Sequence, residues 1–153
     1  MAIFNGTDGN DTLVGSAGSV DDALNGGLGN DIYRYSLGSG NDVISDTGGA
    51  DTIELADPLH LYSGWNFYRS GDDLVIDFNG QGQLTVTNQF LGAPIIETLA
   101  FADGSELYSF SFSNLLTGTA GNDVLIGTSS GEVINGGGGD DLLIGGMGSD
   151  TLT

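Results

Sequence analysis

Cysteine is absent from the 153 residues, so neither a disulfide framework nor a thiolate metal centre can be built, and any metal must be held by oxygen. Basic side chains are almost as scarce: Arg34 and Arg69 stand alone against 21 acidic residues, for a formal net charge of -19. Nucleic acid is excluded as a partner by that balance. His60 is the only imidazole, which leaves zinc and copper without their preferred ligands. No stretch approaches the roughly 20 apolar residues of a membrane helix. The N-terminus, MAIFNGTDGND, has no basic region followed by an apolar one, so export would depend on information outside these residues. His-Glu-x-x-His and a cysteine nucleophile are both missing, and no enzymatic activity is expected.

What the chain does contain is 28 glycines and a marked preference for Asp over Glu, the composition of tight backbone turns carrying short carboxylates. With 39% hydrophobic residues, simple acidic disorder is not the default. Two arginines cannot neutralise the carboxylates, whereas multivalent cations can.

A nine-residue unit recurs. GGGGDDLLI (Gly136 to Ile144) and GGMGSDTLT (Gly145 to Thr153) are preceded in phase by GTAGNDVLI (Gly118 to Ile126) and GTSSGEVIN (Gly127 to Asn135). Near the N-terminus the unit returns as GTDGNDTLV (Gly6 to Val14) and GGLGNDIYR (Gly26 to Arg34), with variants SGNDVIS and GGADTIE ending at Ser45 and Glu54. The glycine-dense half cannot form a strand or helix interior, while the last triplet carries one apolar side chain between outward-facing residues, a minimal strand. Such units must stack to bury anything, and Leu125, Ile134, Leu143 and Leu152 would then form a narrow apolar ladder.

These units resemble the RTX calcium-binding nonapeptide, G-G-x-G-x-D-x-U-x. Seven of the nine carry Asp two residues before a large apolar residue in a glycine-rich frame; the unit around Asp22 has Val20 in place of the fourth glycine, and another has Glu132 for Asp. The resemblance implies an all-β fold, a right-handed parallel β-roll (β-solenoid) in which two units make one coil and ions sit in turns between stacked coils. Stacked aspartates are 18 residues apart in the C-terminal block, as in Asp123 and Asp141. In the N-terminal block Asp11, Asp22, Asp31, Asp42 and Asp51 are separated by 11, 9, 11 and 9 residues, so every second-neighbour distance is 20. The additions fall on one side of the roll and predict long strands over Thr12 to Ser16, Ile32 to Ser36 and Thr52 to Ala56, pointing Leu13, Tyr33, Tyr35, Ile53 and Leu55 inward.

Carboxylates ~5 Å apart in stacked turns repel by roughly 3 kcal/mol per pair at an effective dielectric near 20. A hard cation with six to eight oxygen ligands reverses that sign, and calcium suits flexible oxygen cages better than magnesium does. By the resemblance, several calcium ions take paired side chains: Asp11 with Asp31, Asp22 with Asp42, Asp31 with Asp51, and Asp123 with Asp141. Glu132 with Asp150 completes the series, in a unit that also departs from the pattern at Ser130 and Gly131. Backbone carbonyls of turn residues such as Gly6, Asp8, Gly9, Gly26, Gly27, Leu28, Gly29, Gly38, Gly40, Gly49, Gly118, Gly121, Gly136, Gly137 and Gly139 would supply the other ligands. The position-five residues Asn10, Asn30, Asn41 and Asn122 are expected to accommodate left-handed turn backbone.

The chain thus divides into repeats over 1–55, a β-rich linking or capping segment over 56–113, and repeats over 114–153 that stop inside a strand triplet. In the middle segment Asp57-Pro58 predicts a short helix or turn near Leu59 to Tyr62, with strands over Asp72 to Phe78, Gln83 to Thr87, Ile95 to Phe101 and Glu106 to Phe112. SGDDLVIDF, GQLTVTNQF and IETLAFADGS resemble the haemolysin-type calcium-binding related segment. Tyr62, Trp65, Phe67, Tyr68 and Phe90 could pack a core or, less favoured, form a glycan platform. The family implies part of a larger extracellular bacterial protein, exported unfolded by type I secretion machinery and folded on calcium outside. The alternative is the ligand- or surface-binding domain of a calcium-dependent adhesin.

Overall fold

In the computed structural model, residues 1–56, 66–91, 95–101, 107–110, 116–128 and 131–153 are described, and these contain strands and turns but no helix. Chain order is β1 (Ile3–Asn5), β2 (Thr12–Val14), β3 (Ala23–Asn25), β4 (Ile32–Tyr35), β5 (Asn41–Ser45) and β6 (Thr52–Leu55), then β7 (Asn66–Ser70), β8 (Asp73–Asp77), β9 (Gln83–Val86), β10 (Thr98–Phe101) and β11 (Leu107–Phe110). The C-terminal repeats supply β12 (Leu116–Thr117), β13 (Asp123–Ile126), β14 (Val133–Asn135), β15 (Leu142–Ile144) and β16 (Thr151–Leu152).

The fold is the parallel β-roll that the repeats predict. Each N-terminal coil contributes one strand to either wall: β1, β3 and β5 stack on one side, β2, β4 and β6 on the other, all parallel. Pairing such as Tyr33 with Ile53 and Tyr35 with Leu55 keeps the 20-residue register, whereas Leu125 pairs with Leu143 at 18. The extra residues do lengthen one wall, but the strands close earlier than Ser16, Ser36 and Ala56. In the first coil the Ser16 N–H turns away to donate to Asp22 Oδ2 at 2.6 Å, so β2 ends at Val14. The alternation survives, and Leu13, Tyr33, Tyr35, Ile53 and Leu55 are all buried.

The middle segment grows out of the roll rather than beside it. Strand β9 adds parallel to β5 and starts an antiparallel run β9-β8-β7, while β10 adds parallel to β6. β11 then pairs antiparallel with β10 and parallel with β13, so one seven-stranded sheet, β15-β13-β11-β10-β6-β4-β2, runs through both repeat blocks. Strand direction reverses once in that sheet, between β10 and β11. The other C-terminal wall is the short sheet β12-β14-β16.

Strand β7 was not anticipated; its polar Asn66, Tyr68 and Ser70 alternate with buried Phe67, a pattern too mixed to read as a strand in isolation. The helix or turn expected over 59–62 lies outside the described residues. Phe67, Leu74, Ile76, Phe78, Leu84, Val86, Ile96, Leu99 and Phe101 join the repeat residues in one core, where Tyr35 stacks on Phe78 at 4.8 Å. A smaller cluster of Leu116, Leu125, Ile134 and Leu143 fills the C-terminal coils. Leu152, the last rung of the expected ladder, is 44% exposed.

Candidate metal centre

Three turns, 6–11, 26–31 and 46–51, stack on one edge of the N-terminal roll, each leading from the β1-side wall to the β2-side wall. They bring Asp11, Asp31 and Asp51 into line. The turns on the opposite edge align Asp22 with Asp42, and the C-terminal turns align Asp123 with Asp141 and Glu132 with Asp150.

One hydrogen bond sets this alignment everywhere. The peptide N–H of each acidic residue donates to a carboxylate oxygen one coil on: Asp11 to Asp31 Oδ1 at 2.8 Å, Asp31 to Asp51 Oδ1 at 2.7 Å, Asp22 to Asp42 Oδ1 at 2.9 Å. In the C-terminal block Asp123 donates to Asp141 Oδ1 at 3.1 Å and Glu132 to Asp150 Oδ1 at 2.9 Å. Each such carboxylate commits one oxygen to the neighbouring coil and keeps the other for the turn interior. At Asp31 and Asp51 that second oxygen, Oδ2, is buried with no hydrogen-bond partner, and Asp123 Oδ1 is in the same condition. Unpaired buried carboxylate oxygens are costly.

The glycines shape what faces these oxygens. A Cβ placed on Gly6 would lie 2.2 Å from the Gly26 carbonyl oxygen and 2.8 Å from Asp11 Oδ2; on Gly118 it would lie 2.1 Å from the Gly136 carbonyl oxygen and 2.6 Å from Asp123 Oδ2. Position one of the unit therefore forms a cradle of one peptide carbonyl and one carboxylate that admits no side chain. Gly27 and Gly137, at position two, have φ of 107° and 89° and would drive a Cβ to 2.3 Å and 2.1 Å from the carbonyl oxygens of Thr7 and Thr119. An all-oxygen set of this kind fits calcium. Of the other carbonyls singled out above, Gly27 accepts the Thr47 N–H at 3.2 Å, and Gly40 accepts the Tyr35 hydroxyl at 2.9 Å and the Gln83 N–H at 3.1 Å.

The position-five asparagines do something other than relax the backbone. Among the described residues, positive φ outside glycine occurs at Asn79 and Asn88, not at Asn10, Asn30, Asn41 or Asn122. Instead Asn10 Oδ1 accepts the Asn30 N–H at 2.8 Å, Asn30 Oδ1 the Ala50 N–H at 3.0 Å and Asn122 Oδ1 the Asp140 N–H at 2.9 Å, a second ladder parallel to the aspartate one. In the units of Asn30 and Asn41 it is the glycines at positions two and four, Gly27, Gly29, Gly38 and Gly40, that take positive φ.

Glu97 is the carboxylate that the repeat pattern conceals. Its Oε2 accepts the Asp51 N–H at 2.6 Å, the role that Asp51 plays for Asp31. Thr98 pairs with Thr52, so ETLAF (Glu97 to Phe101) lies on DTIEL (Asp51 to Leu55) as if it were the next coil. That shared acidic-Thr-apolar-x-apolar order was the signal available in the sequence, without the glycine-dense run that precedes the acidic positions of the repeats.

Of the middle-segment aromatics, Phe67 is in the core, Tyr68 is exposed and Phe90 lies beneath the Arg69 guanidinium at 4.4 Å. Arg69 also meets Asp72 at 3.2 Å. His60, Tyr62 and Trp65 fall outside the described residues.

Burial pushes the Asp42 and Asp51 carboxyls up from 3.8 to about 6, and it raises Asp31 as well against the pull of the Asp11 N–H. Asp22 is held low by the Ser16 N–H, which outweighs burial. A raised acid favours folding when protonated, so without calcium this stabilisation is complete below pH 3.8 and is lost as pH rises through about 6. In chelator, the strand signal absent at pH 7 should therefore begin to return as pH falls to 5. In saturating calcium the urea midpoint of unfolding should instead fall over the same interval, because the ion needs the deprotonated groups. A chelated chain that weakens on acidification would contradict this account.

A parallel roll that stacks carboxylates in register inside glycine turns is the architecture of a calcium-binding repeat protein. The chain belongs to the RTX calcium-binding nonapeptide repeat family: four copies match at residues 3–33, 36–56, 108–130 and 117–152, more than half the chain. Residues 73–108 match the haemolysin-type calcium binding protein related domain. It is 44% identical over 62 residues to a plasmid hemolysin of Escherichia coli, covering 40% of this chain and 6% of that protein. Identity is 36% over 81 residues to the RTX-I toxin determinant A of Actinobacillus pleuropneumoniae from serotypes 1/9, covering 53% of this chain and 8% of the toxin. The chain thus spans less than a tenth of the length of these relatives. No helix among the described residues is long and apolar enough to cross a membrane.

Proposed function

We propose that the chain is a calcium-driven folding module of a larger extracellular bacterial protein, with the repeats at 1–55 and 114–153 as the ion-binding parts and 56–113 as the segment that links and caps them. The observation that carries this reading is the pair of buried, unpartnered oxygens, Asp31 Oδ2 and Asp51 Oδ2, facing glycine turns in stacked coils. The ligand set is Asp11, Asp22, Asp31, Asp42, Asp51, Asp123, Asp141, Asp150 and Glu132, joined by the turn carbonyls.

The chain's own residues do three things: the N–H ladder spaces the carboxylates, the glycines leave room beside them, and the apolar strands fold only when that spacing is tolerated. Bound calcium supplies the missing positive charge. An ion that binds only the folded form stabilises it by RT ln(1 + [L]/Kd) per site, which couples folding to the calcium level outside the cell. An unfolded chain where calcium is scarce suits type I secretion, and the similarity to RTX toxin determinants and hemolysin favours that route and an extracellular location. No catalytic step belongs to this reading.

Equilibrium dialysis against calcium is the direct test. Several ions bound per folded chain are expected, with magnesium a weak competitor; binding of none would end the proposal.

A further inference from the structure

The fifth unit breaks the repeat at position one, where Asp46 replaces the glycine found at Gly6, Gly26, Gly118, Gly136 and Gly145. We infer that Asp46 converts the turn stack of Asp31 and Asp51 into a three-carboxylate cation site, distinct from the two-carboxylate sites elsewhere in the roll and the first to fill. This inference rests on the calcium-binding reading above.

The comparison is internal to the molecule. Beside Gly6, Gly118 and Gly127, the nearest atom of the following coil is a backbone carbonyl oxygen: that of Gly26 at 2.2 Å, Gly136 at 2.1 Å and Gly145 at 2.2 Å from the Cβ position. Beside Gly26 it is instead Asp46 Oδ2, also at 2.2 Å, with Asp31 Oδ2 at 2.3 Å. A charged oxygen has taken the place of a neutral one in the same cradle. Carboxylate oxygens of Asp31, Asp46 and Asp51 lie within 4.8 Å of one another.

Two features distinguish this cluster from an ordinary acidic patch. Asp31 and Asp51 are each 1% exposed, and their Oδ2 atoms have no hydrogen-bond partner. Asp46, by contrast, is held in place: its Oδ1 accepts the N–H groups of Thr47 at 2.5 Å and Gly48 at 2.8 Å, and its Oδ2 accepts the hydroxyl of buried Tyr33. No ion pair to any of the three occurs among the described residues, and Arg34 is engaged with Glu54. Three fixed carboxylates favour a hard cation of high charge, since ligand charge and site rigidity set affinity in oxygen cages.

Terbium(III), a hard trivalent ion of calcium-like coordination, is a suitable probe because Tyr33 can sensitise its emission. Titrated into the full chain with excitation of tyrosine, terbium should give an early, high-affinity luminescent phase. Asp46→Asn should move that phase to at least tenfold higher terbium. Asp46→Gly, which restores the position-one glycine that the stacked units have at Gly6 and Gly26, should do the same while folding normally in calcium. Tyr33→Phe should dim the early phase and leave the number of ions bound unchanged. Titration of both Asp46 variants like the parent chain would overturn the inference while leaving the calcium module intact; failure of the parent to bind calcium in dialysis would overturn both.

Discussion

Chelation of calcium at pH 7 is expected to abolish the strand signal of this chain in far-ultraviolet circular dichroism, and added calcium to restore it. The charge balance makes the effect large. A formal charge of -19 is relieved by two arginines, and the structure commits both locally, Arg34 to Glu54 and Arg69 to Asp72. Every stacked acidic pair left without an ion costs the roll about 3 kcal/mol at ~5 Å and an effective dielectric near 20. Calcium at a hundred times Kd contributes about 2.7 kcal/mol per site. Over the four Asp–Asp sites alone that is roughly 11 kcal/mol, comparable with the whole stability of about 5–15 kcal/mol typical of a domain. A strand spectrum indifferent to chelator would refute the linkage.

Asp31→Ala should be the most damaging single ligand substitution. Asp31 belongs to two stacked pairs: its Oδ1 receives the Asp11 N–H, and its own N–H donates to Asp51 Oδ1. Loss of both sites corresponds to about 5 kcal/mol at a hundred times Kd, whereas Asp150→Ala, at the half-buried end of the C-terminal stack, removes one. The urea midpoint in saturating calcium reads the difference, and the same midpoint at pH 5 in chelator supplies the control. There Asp31→Ala should cost little or even help, since burial disfavours the Asp31 charge. Equal losses with and without calcium would mark Asp31 as a packing residue and not a ligand.

The middle segment explains why the two repeat blocks are not independent beads. β10 extends the N-terminal wall, β11 turns back beside it, and β13 continues from β11, so the C-terminal coils run along the same sheet with reversed strand direction. The 20-residue and 18-residue coils never stack directly on each other among the described residues; β10 and β11 stand between them. That places the change of pitch where no carboxylate ladder has to cross it.

What could be read from the chain alone was everything that repeats. Contacts between coils recur at one separation, so the phase of Asp before an apolar residue reveals the stacking partner, the wall and the inward side chain: Leu13, Tyr33 and Ile53 followed from spacing and are buried as expected. Tertiary structure decided what happens once. The Asp51 N–H meets Glu97 across 46 residues, Phe78 finds Tyr35, and β7 becomes a strand by pairing with β8. The last two have no second copy in the sequence to betray them, and the first is signalled only by the echo of DTIEL in ETLAF. The asparagine ladder was hidden for a different reason: Asn is at home both in left-handed turns and as an acceptor, and only the backbone angles, with glycine taking the positive φ, separate the two roles.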